Sequence, residues 1–201
     1  MKYLLIVAAN LLMLSSLFIT ACNNLTQPIV MTSYAEVSID EQIKLADVIV
    51  AGTITSISKT RWNQDSGEYW EEVVKDEIEE TIHTALPYYT IEILVNKPIL
   101  NAKSGEKLVA TVIGMSPLEE QNRNSHRLQV NKEAVVFMRH SEMAWRDGTR
   151  PILQLMSTPE KSAFFRGEND LYETAHVDEV AVPLDALITR IAQKRPEDIQ
   201  R

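Results

Sequence analysis

The chain reads as a mainly β domain with flanking helices, a small antiparallel barrel or sandwich. Three observations predict this. Apolar runs of strand length occur over 47–54, 89–95, 107–113 and 134–138, each bounded by turn-forming residues. No strand–helix–strand spacing links them, which argues against a parallel sheet. Capped helical patterns flank the strands, one before the first and one after the last.

Ser38-Ile39-Asp40-Glu41 has capping-box spacing, and Ile39, Ile43 and Ala46 then recur on one helical face. A short helix ending near Ala46 follows. Asp47–Ile54 is β-rich, and Gly52 inside it predicts a bulge or sharp bend. Tyr89, Ile91, Ile93 and Val95 alternate with Thr90, Glu92 and Leu94, as in a strand with one buried face. After a turn over 101–106 come a strand at Lys107–Ile113 and a short central strand at Ala134–Met138. Asp147-Gly148 and Gly167–Asp170 are turns separating strands near Ile152–Met156, Ala163–Arg166 and Leu171–Thr174. Leu184, Leu187, Ile188 and Ile191 form an amphipathic closing helix, stopped by Pro196. Six or seven strands are expected in all.

The stretch from Asp65 to Glu80 carries eight acids and one lysine. Trp70, Val73, Val74, Ile78 and Ile82 fall at helical spacing there, so an amphipathic helix with a solvated acidic face is expected. A docking surface for a basic partner and a weak calcium site are the functional readings. The alternating ligands and turn glycine of an EF-hand loop are missing.

Residues 1–22 set the expected location. A lysine at position 2 precedes an apolar run from Tyr3 to Leu14, broken only by Asn10, and Ile19-Thr20-Ala21-Cys22 closes the segment. Those four residues resemble the lipobox of bacterial lipoproteins. The resemblance implies diacylglycerol on the Cys22 thiol, cleavage after Ala21, and acylation (palmitate) of the new amino terminus. An ordinary secretory signal shares these features. An uncleaved helix is the third reading, since Tyr3–Ala21 approaches the roughly 20 residues that span a bilayer. Lipidation is favoured because Cys22, the only cysteine, stands at the cleavage position. The domains expected are a signal peptide 1–21, a lipidated tether 22–33 containing Pro28, one folded domain 34–195, and a tail 196–201. The location expected is a bacterial membrane surface outside the cytoplasm, periplasmic or extracellular.

Removal of 1–21 leaves 180 residues, enough for one domain with a real core, and takes the net charge from −8 to −9 through loss of Lys2. Phosphate backbones and anionic headgroups repel such a surface. Nucleic acid is therefore not expected as a partner, and membrane residence is expected to come from the lipid anchor. With one cysteine the domain forms no internal disulfide.

The runs Ala46–Ile54, Tyr89–Val95 and Lys132–Phe137 resemble, in order, a pattern of uncharacterised bacterial secreted proteins. They are also similar to the netrin-like OB barrel of tissue inhibitors of metalloproteinases. The resemblance implies a five-stranded OB-like barrel framed by N- and C-terminal helices. Those inhibitors are disulfide-rich and chelate the protease zinc through a free N-terminal cysteine. An acylated Cys22 has no free amine, so the resemblance carries fold and not mechanism.

Sites of reaction are sparse. His140-Ser141-Glu142 and His176-Val177-Asp178 each put an imidazole and a carboxylate on one face of a strand, while His83 and His126 stand alone. Helical His-x-x-x-His or paired-Cys zinc patterns are missing, as are nucleophile elbows, phosphate loops and dinucleotide fingerprints. No metal, cofactor or catalytic residue is assigned. Trp62 and Trp145 sit beside Arg61 and Arg146 in polar, turn-like segments, and Trp and Arg are residue types enriched at binding hot spots. The structural alternative makes each tryptophan a lid anchored by its own N–H bond. The expected function is a binding or interaction module with an envelope protein as partner. A hydrolase using carboxylates or a metal, and a protease-inhibitor-like module, are the alternatives.

Overall fold

A computed structural model describes residues 37–75, 80–119, 128–176 and 179–196, all within one compact unit, Thr32–Arg201. The polypeptide there is mainly β with two helices: α1 (Ile39–Leu45), β1 (Val48–Ile57), β2 (Arg61–Trp62), β3 (Glu71–Lys75), β4 (Glu80–Thr84), β5 (Pro87–Leu100), β6 (Lys107–Ile113), β7 (Glu133–Trp145), β8 (Gly148–Leu155), β9 (Ala163–Arg166), β10 (Leu171–Glu173), β11 (Val182–Pro183) and α2 (Leu184–Lys194).

β1 is hydrogen-bonded on both sides. Its antiparallel neighbours are β5, with Thr53 opposite Leu94, and β7, with Val50 opposite Val136. β5 continues to β6, and β7 continues to β8. β6 and β8 then meet in one parallel pairing, Thr111 with Gln154. The path of pairings thus runs β1–β5–β6–β8–β7 and returns to β1. β9, β10 and β11 extend the sheet beyond β7.

The apolar run of β1 is continuous because both of its faces are buried. Val48, Val50 and Ile54 point into one core with Ile91, Ile93, Ala110, Val136, Met138 and Leu155. Ile49 and Ala51 point into a second core with Val135, Phe137, Phe164 and the helical Ile39, Ile43, Leu187 and Ile191. Period-two alternation therefore assigns neighbouring residues of one strand to two different layers.

Gly52 permits the crossing of β1 over β5. A Cβ there would lie 2.5 Å from the Leu94 carbonyl oxygen and 2.7 Å from Ile93 Cγ2. The pairing register shifts between Ala51 and Gly52, which is the expected bulge.

α1 begins as expected. The Ser38 side chain accepts from the Glu41 N–H, and the Glu41 carboxylate accepts from the Ser38 N–H at 3.2 Å. Its far end is capped from a distance: the Arg195 guanidinium donates to the carbonyls of Ala46 and Ile43. A cation there complements the helix dipole. Between the helices, Asp40 pairs with Lys194 at 2.6 Å and Arg190 at 2.9 Å, and Arg190 also grips both carboxylate oxygens of Glu179.

The helix expected over the acidic stretch is corrected by the described part of it. β3 and β4 pair antiparallel, Val73 opposite Ile82, as a two-stranded sheet of their own. A helix would stack Glu68, Glu72, Asp76 and Glu80 at i, i+4 spacing, placing like charges one turn apart. Val73, Val74, Thr81, Ile82 and Thr84 are β-branched and favour strand instead. The described residues hold eleven strands rather than six or seven; the surplus comes from this hairpin and the two-residue β2 and β11.

Gly52→Ala is expected to destabilise by about 1–3 kcal/mol, the usual range for forcing atoms into a filled site, read from urea midpoints at constant m. The Lys194 hydrogen bond, opposed by burial and assisted by Arg190, holds Asp40 below its ordinary carboxylate range. Its contribution is therefore present above the unfolded-state value and lost as pH falls through the depressed native value. The midpoint difference between wild type and Asp40→Asn should be constant from about pH 7 to about pH 5 and should shrink on further acidification.

Candidate functional site

A segment that reads as a polar loop builds the candidate site around a buried asparagine. β2 pairs with the start of β5, Arg61 opposite Tyr88 and Trp62 opposite Pro87. The chain then turns tightly: the Gly67 carbonyl accepts from the Trp62 N–H at 3.0 Å, with Gly67 at φ 72°. Asn63 follows β2 and is 4% exposed. Its Oδ1 accepts from the Leu86 N–H at 2.7 Å and from the Trp70 indole N–H at 3.0 Å. Its Nδ2 donates to the Ala144 carbonyl at 3.1 Å. Its own N–H donates to the Leu86 carbonyl, and its carbonyl accepts from the Arg146 N–H at 2.8 Å. One side chain and its backbone thereby join the 61–70 segment, the entry to β5 and the β7–β8 hairpin.

The hairpin tip is the two-residue turn Arg146-Asp147, between Trp145 and its partner Gly148 at φ 145°. Aromatic rings converge on this clasp. Trp62 meets Tyr69 edge-on at 5.0 Å, and Trp145 packs on Tyr88 at 5.3 Å. Arg150 lies over the Trp145 ring at 4.4 Å and Arg146 over Trp70 at 5.3 Å. Arg150 is fixed by Asp65 at 2.7 Å and Asp147 at 3.3 Å, and the Asp65 hydrogen bond raises its pKa further. Arg146 donates to Gln64 Oε1 at 3.1 Å and lies 3.9 Å from Glu72. Arg61 donates to the Asp65 carbonyl at 3.3 Å. A shallow cavity of about 370 Å³ opens here, lined by Gln64, Asp65, Ser66, Trp145, Arg146 and Asp147.

All four residues singled out in the sequence, Arg61, Trp62, Trp145 and Arg146, thus belong to one linked cluster, although their partnerships differ from simple adjacency. Arg146 stacks on Trp70, and the arginine over Trp145 is Arg150. The indole with a hydrogen-bonded N–H is Trp70, while the Trp145 N–H is buried with no hydrogen-bond partner among the described residues. Asn63, Trp70 and Arg150 are the members that sequence reasoning missed.

The other candidates stay apart from this cluster. His140 and Glu142 are both exposed on one face of β7, and the His140 N–H donates to Asp47 at 2.7 Å. Among the described residues, no group of three His, Cys, Asp or Glu could hold a metal. His176 Nε2 lies 3.0 Å from the Lys161 carbonyl and 3.2 Å from the buried Gln42 amide, while Asp178 and His126 lie outside the described residues. A second cavity of about 380 Å³ borders Gly52, Lys97, Glu133, Arg166 and Tyr172. There Arg166 is already engaged by Asp170 and then Glu133, whose hydrogen bonds raise its pKa, and the Glu133 bond clasps β9 to β7. Cys22 lies outside the described residues, and among those described no helix is long and apolar enough to cross a membrane.

No known protein family, curated protein or solved structure matches the chain.

Asn63→Ala removes the acceptor for two part-buried donors and the donor for one carbonyl. It is expected to cost roughly 2–4 kcal/mol of unfolding free energy and to shift the tryptophan near-ultraviolet signal, read by denaturation and circular dichroism.

Proposed function

We propose that this is a lipid-anchored envelope protein whose single OB-like barrel acts as a binding module. The cycle of pairings supports the barrel. Counting β1, β5, β6, β7 and β8 as strands one to five, the order around the cycle is 1-2-3-5-4, with one parallel contact between the third and fifth. That is the Greek-key order of OB barrels, which bind through the loop between strands one and two and the loop between strands four and five.

The observation that carries the reading is the identity of the residues in those two loops. The first holds Arg61, Trp62 and Trp70; the second begins at Trp145 and holds Arg146. Asn63 ties the two loops together. Rigid aromatic rings and stacked guanidinium groups, fixed before a ligand arrives, lower the ordering cost of binding. The lipobox residues Ile19–Cys22 support the anchor, because two or more acyl chains hold a protein stably on a bilayer where one does not.

The test is cross-linking and affinity capture through the C-terminus in intact cells. The double variant Trp62→Ala with Trp145→Ala should reduce recovery of a specific envelope partner at least about tenfold, as expected when two hot-spot side chains are lost. Because Trp145 packs on the buried Tyr88, recovery is compared under conditions where denaturation shows both proteins fully folded. Cys22→Ser should move the protein out of the membrane fraction. Unchanged recovery with the double variant, or a loss explained by unfolding, would contradict the binding reading. Membrane retention of Cys22→Ser would contradict the anchor.

A further inference from the structure

Charge is concentrated in one stretch of the sequence. The twenty residues from Asp65 to Thr84 hold eight acids and one lysine, so seven of the eight net negative charges of the chain lie in this stretch and the remainder is nearly neutral. The β3–β4 hairpin within it forms a sheet by itself, and neither outer edge is paired among the described residues. Glu71, Glu72 and Val73 on β3 are exposed, as are His83 and Thr84 on β4. Neighbouring residues of a strand face opposite sides, so both faces of the ribbon stand in solvent there. Val73 is 45% exposed, and Tyr69 at the hairpin root is 40% exposed.

Such a ribbon is physically unfavourable in isolation. Two strands alone are marginal in water. The neighbouring exposed Glu71 and Glu72 on β3 add repulsion, and an open edge is a template for further pairing. A second copy of the chain would bring the same charge to that edge and is repelled. A strand bearing lysine or arginine meets an open row of backbone donors and acceptors, an exposed valine, and carboxylates of opposite sign.

We propose that the β3–β4 hairpin docks an extended basic polypeptide segment as an added strand. This rests on the binding-module reading, since the hairpin root is continuous with the aromatic cluster. Tyr69 packs on Trp62 and donates to Glu71 at 3.0 Å, Arg146 lies 3.9 Å from Glu72, and the Ala85 N–H donates to the Trp70 carbonyl at 2.9 Å. The loop cluster anchors the partner and the hairpin selects it by charge and by main-chain hydrogen bonds, as in strand-addition complexes.

The probe is a nine-residue peptide of alternating lysine and valine, titrated calorimetrically into the full-length protein. Three controls accompany it: the same peptide N-methylated at alternate amides, a glutamate–valine counterpart, and free calcium. One-to-one binding of the lysine–valine peptide is expected, weakening between about 50 and about 500 mM salt. The N-methylated peptide should lose at least about tenfold, because its charge is intact while one hydrogen-bonding edge is blocked. Glu71→Lys with Glu72→Lys, both exposed positions, should lose a similar factor at an unchanged unfolding midpoint. No binding of the lysine–valine peptide would overturn the proposal. So would equal binding of the N-methylated or acidic peptide, stoichiometric displacement of the peptide by calcium, or self-association abolished by the Glu71/Glu72 variant. In cells, capture that depends on Trp62 and Trp145 but ignores Glu71 and Glu72 would leave the module standing and remove the hairpin's role.

Discussion

Strand β1 has neighbours on both edges and cores on both faces, and the rest of the structure depends on that saturation. Its backbone pairs with β5 and β7, Val48, Val50 and Ile54 fill one core, and Ile49 and Ala51 fill the other against the helices. No alternative register satisfies both cores, because a slip of one residue would exchange the two sets of side chains. The bulge at Gly52 sets the sharp crossing with β5 and brings Leu94 within reach of the β1 backbone. Ordering α1 and α2 on the outer layer then joins the two ends of the described chain through Asp40, Arg190 and Arg195.

The proposed binding end relies on that frame for its geometry and departs from it in chemistry. β2 and the β7–β8 turn have little apolar burial of their own, whereas the entry to β5 is anchored by buried Ala85, Tyr88 and Tyr89. Their relative placement rests on polar bonds to Asn63, which is buried because every one of its hydrogen-bonding groups finds a partner. Aromatic rings and arginines then stack on this polar knot, while the acidic hairpin projects from the same segment. In the proposed binding mode the acidic arm steers a basic partner and the rings supply contact area.

Where local rules and tertiary packing agreed, the sequence was legible. The Ser38 cap, Lys107–Ile113, Ala163–Arg166 and the α2 stripe each satisfy a local pattern that packing also favours. β7 was legible only in its apolar half. Beyond Met138 it leaves the two-faced core, so Arg139 to Trp145 carries exposed polar residues that no longer read as a central strand. The acidic stretch failed because apolar spacing alone is ambiguous between helix and hairpin, and the i, i+4 repulsion among its acids was the stronger signal. At the proposed binding end the residue types were visible, since Trp62 beside Arg61 and Trp145 beside Arg146 stand in polar segments. Their partners were not, because stacking of Arg146 on Trp70 and of Arg150 on Trp145 depends on how three distant segments are clasped. Asn63 gave no local signal at all: a polar residue in a polar segment looks exposed until its five hydrogen bonds are seen.

Native-state hydrogen exchange on the full-length protein tests this division between a saturated frame and a projecting arm most directly. The amides of Val48–Ile54 should exchange only through global unfolding, together with those of the facing strands 91–94 and 134–138. The amides of β3 and β4 should exchange orders of magnitude faster in the free protein. Equal protection of the hairpin and β1, or exchange of β1 by local opening well below the global unfolding free energy, would contradict the account.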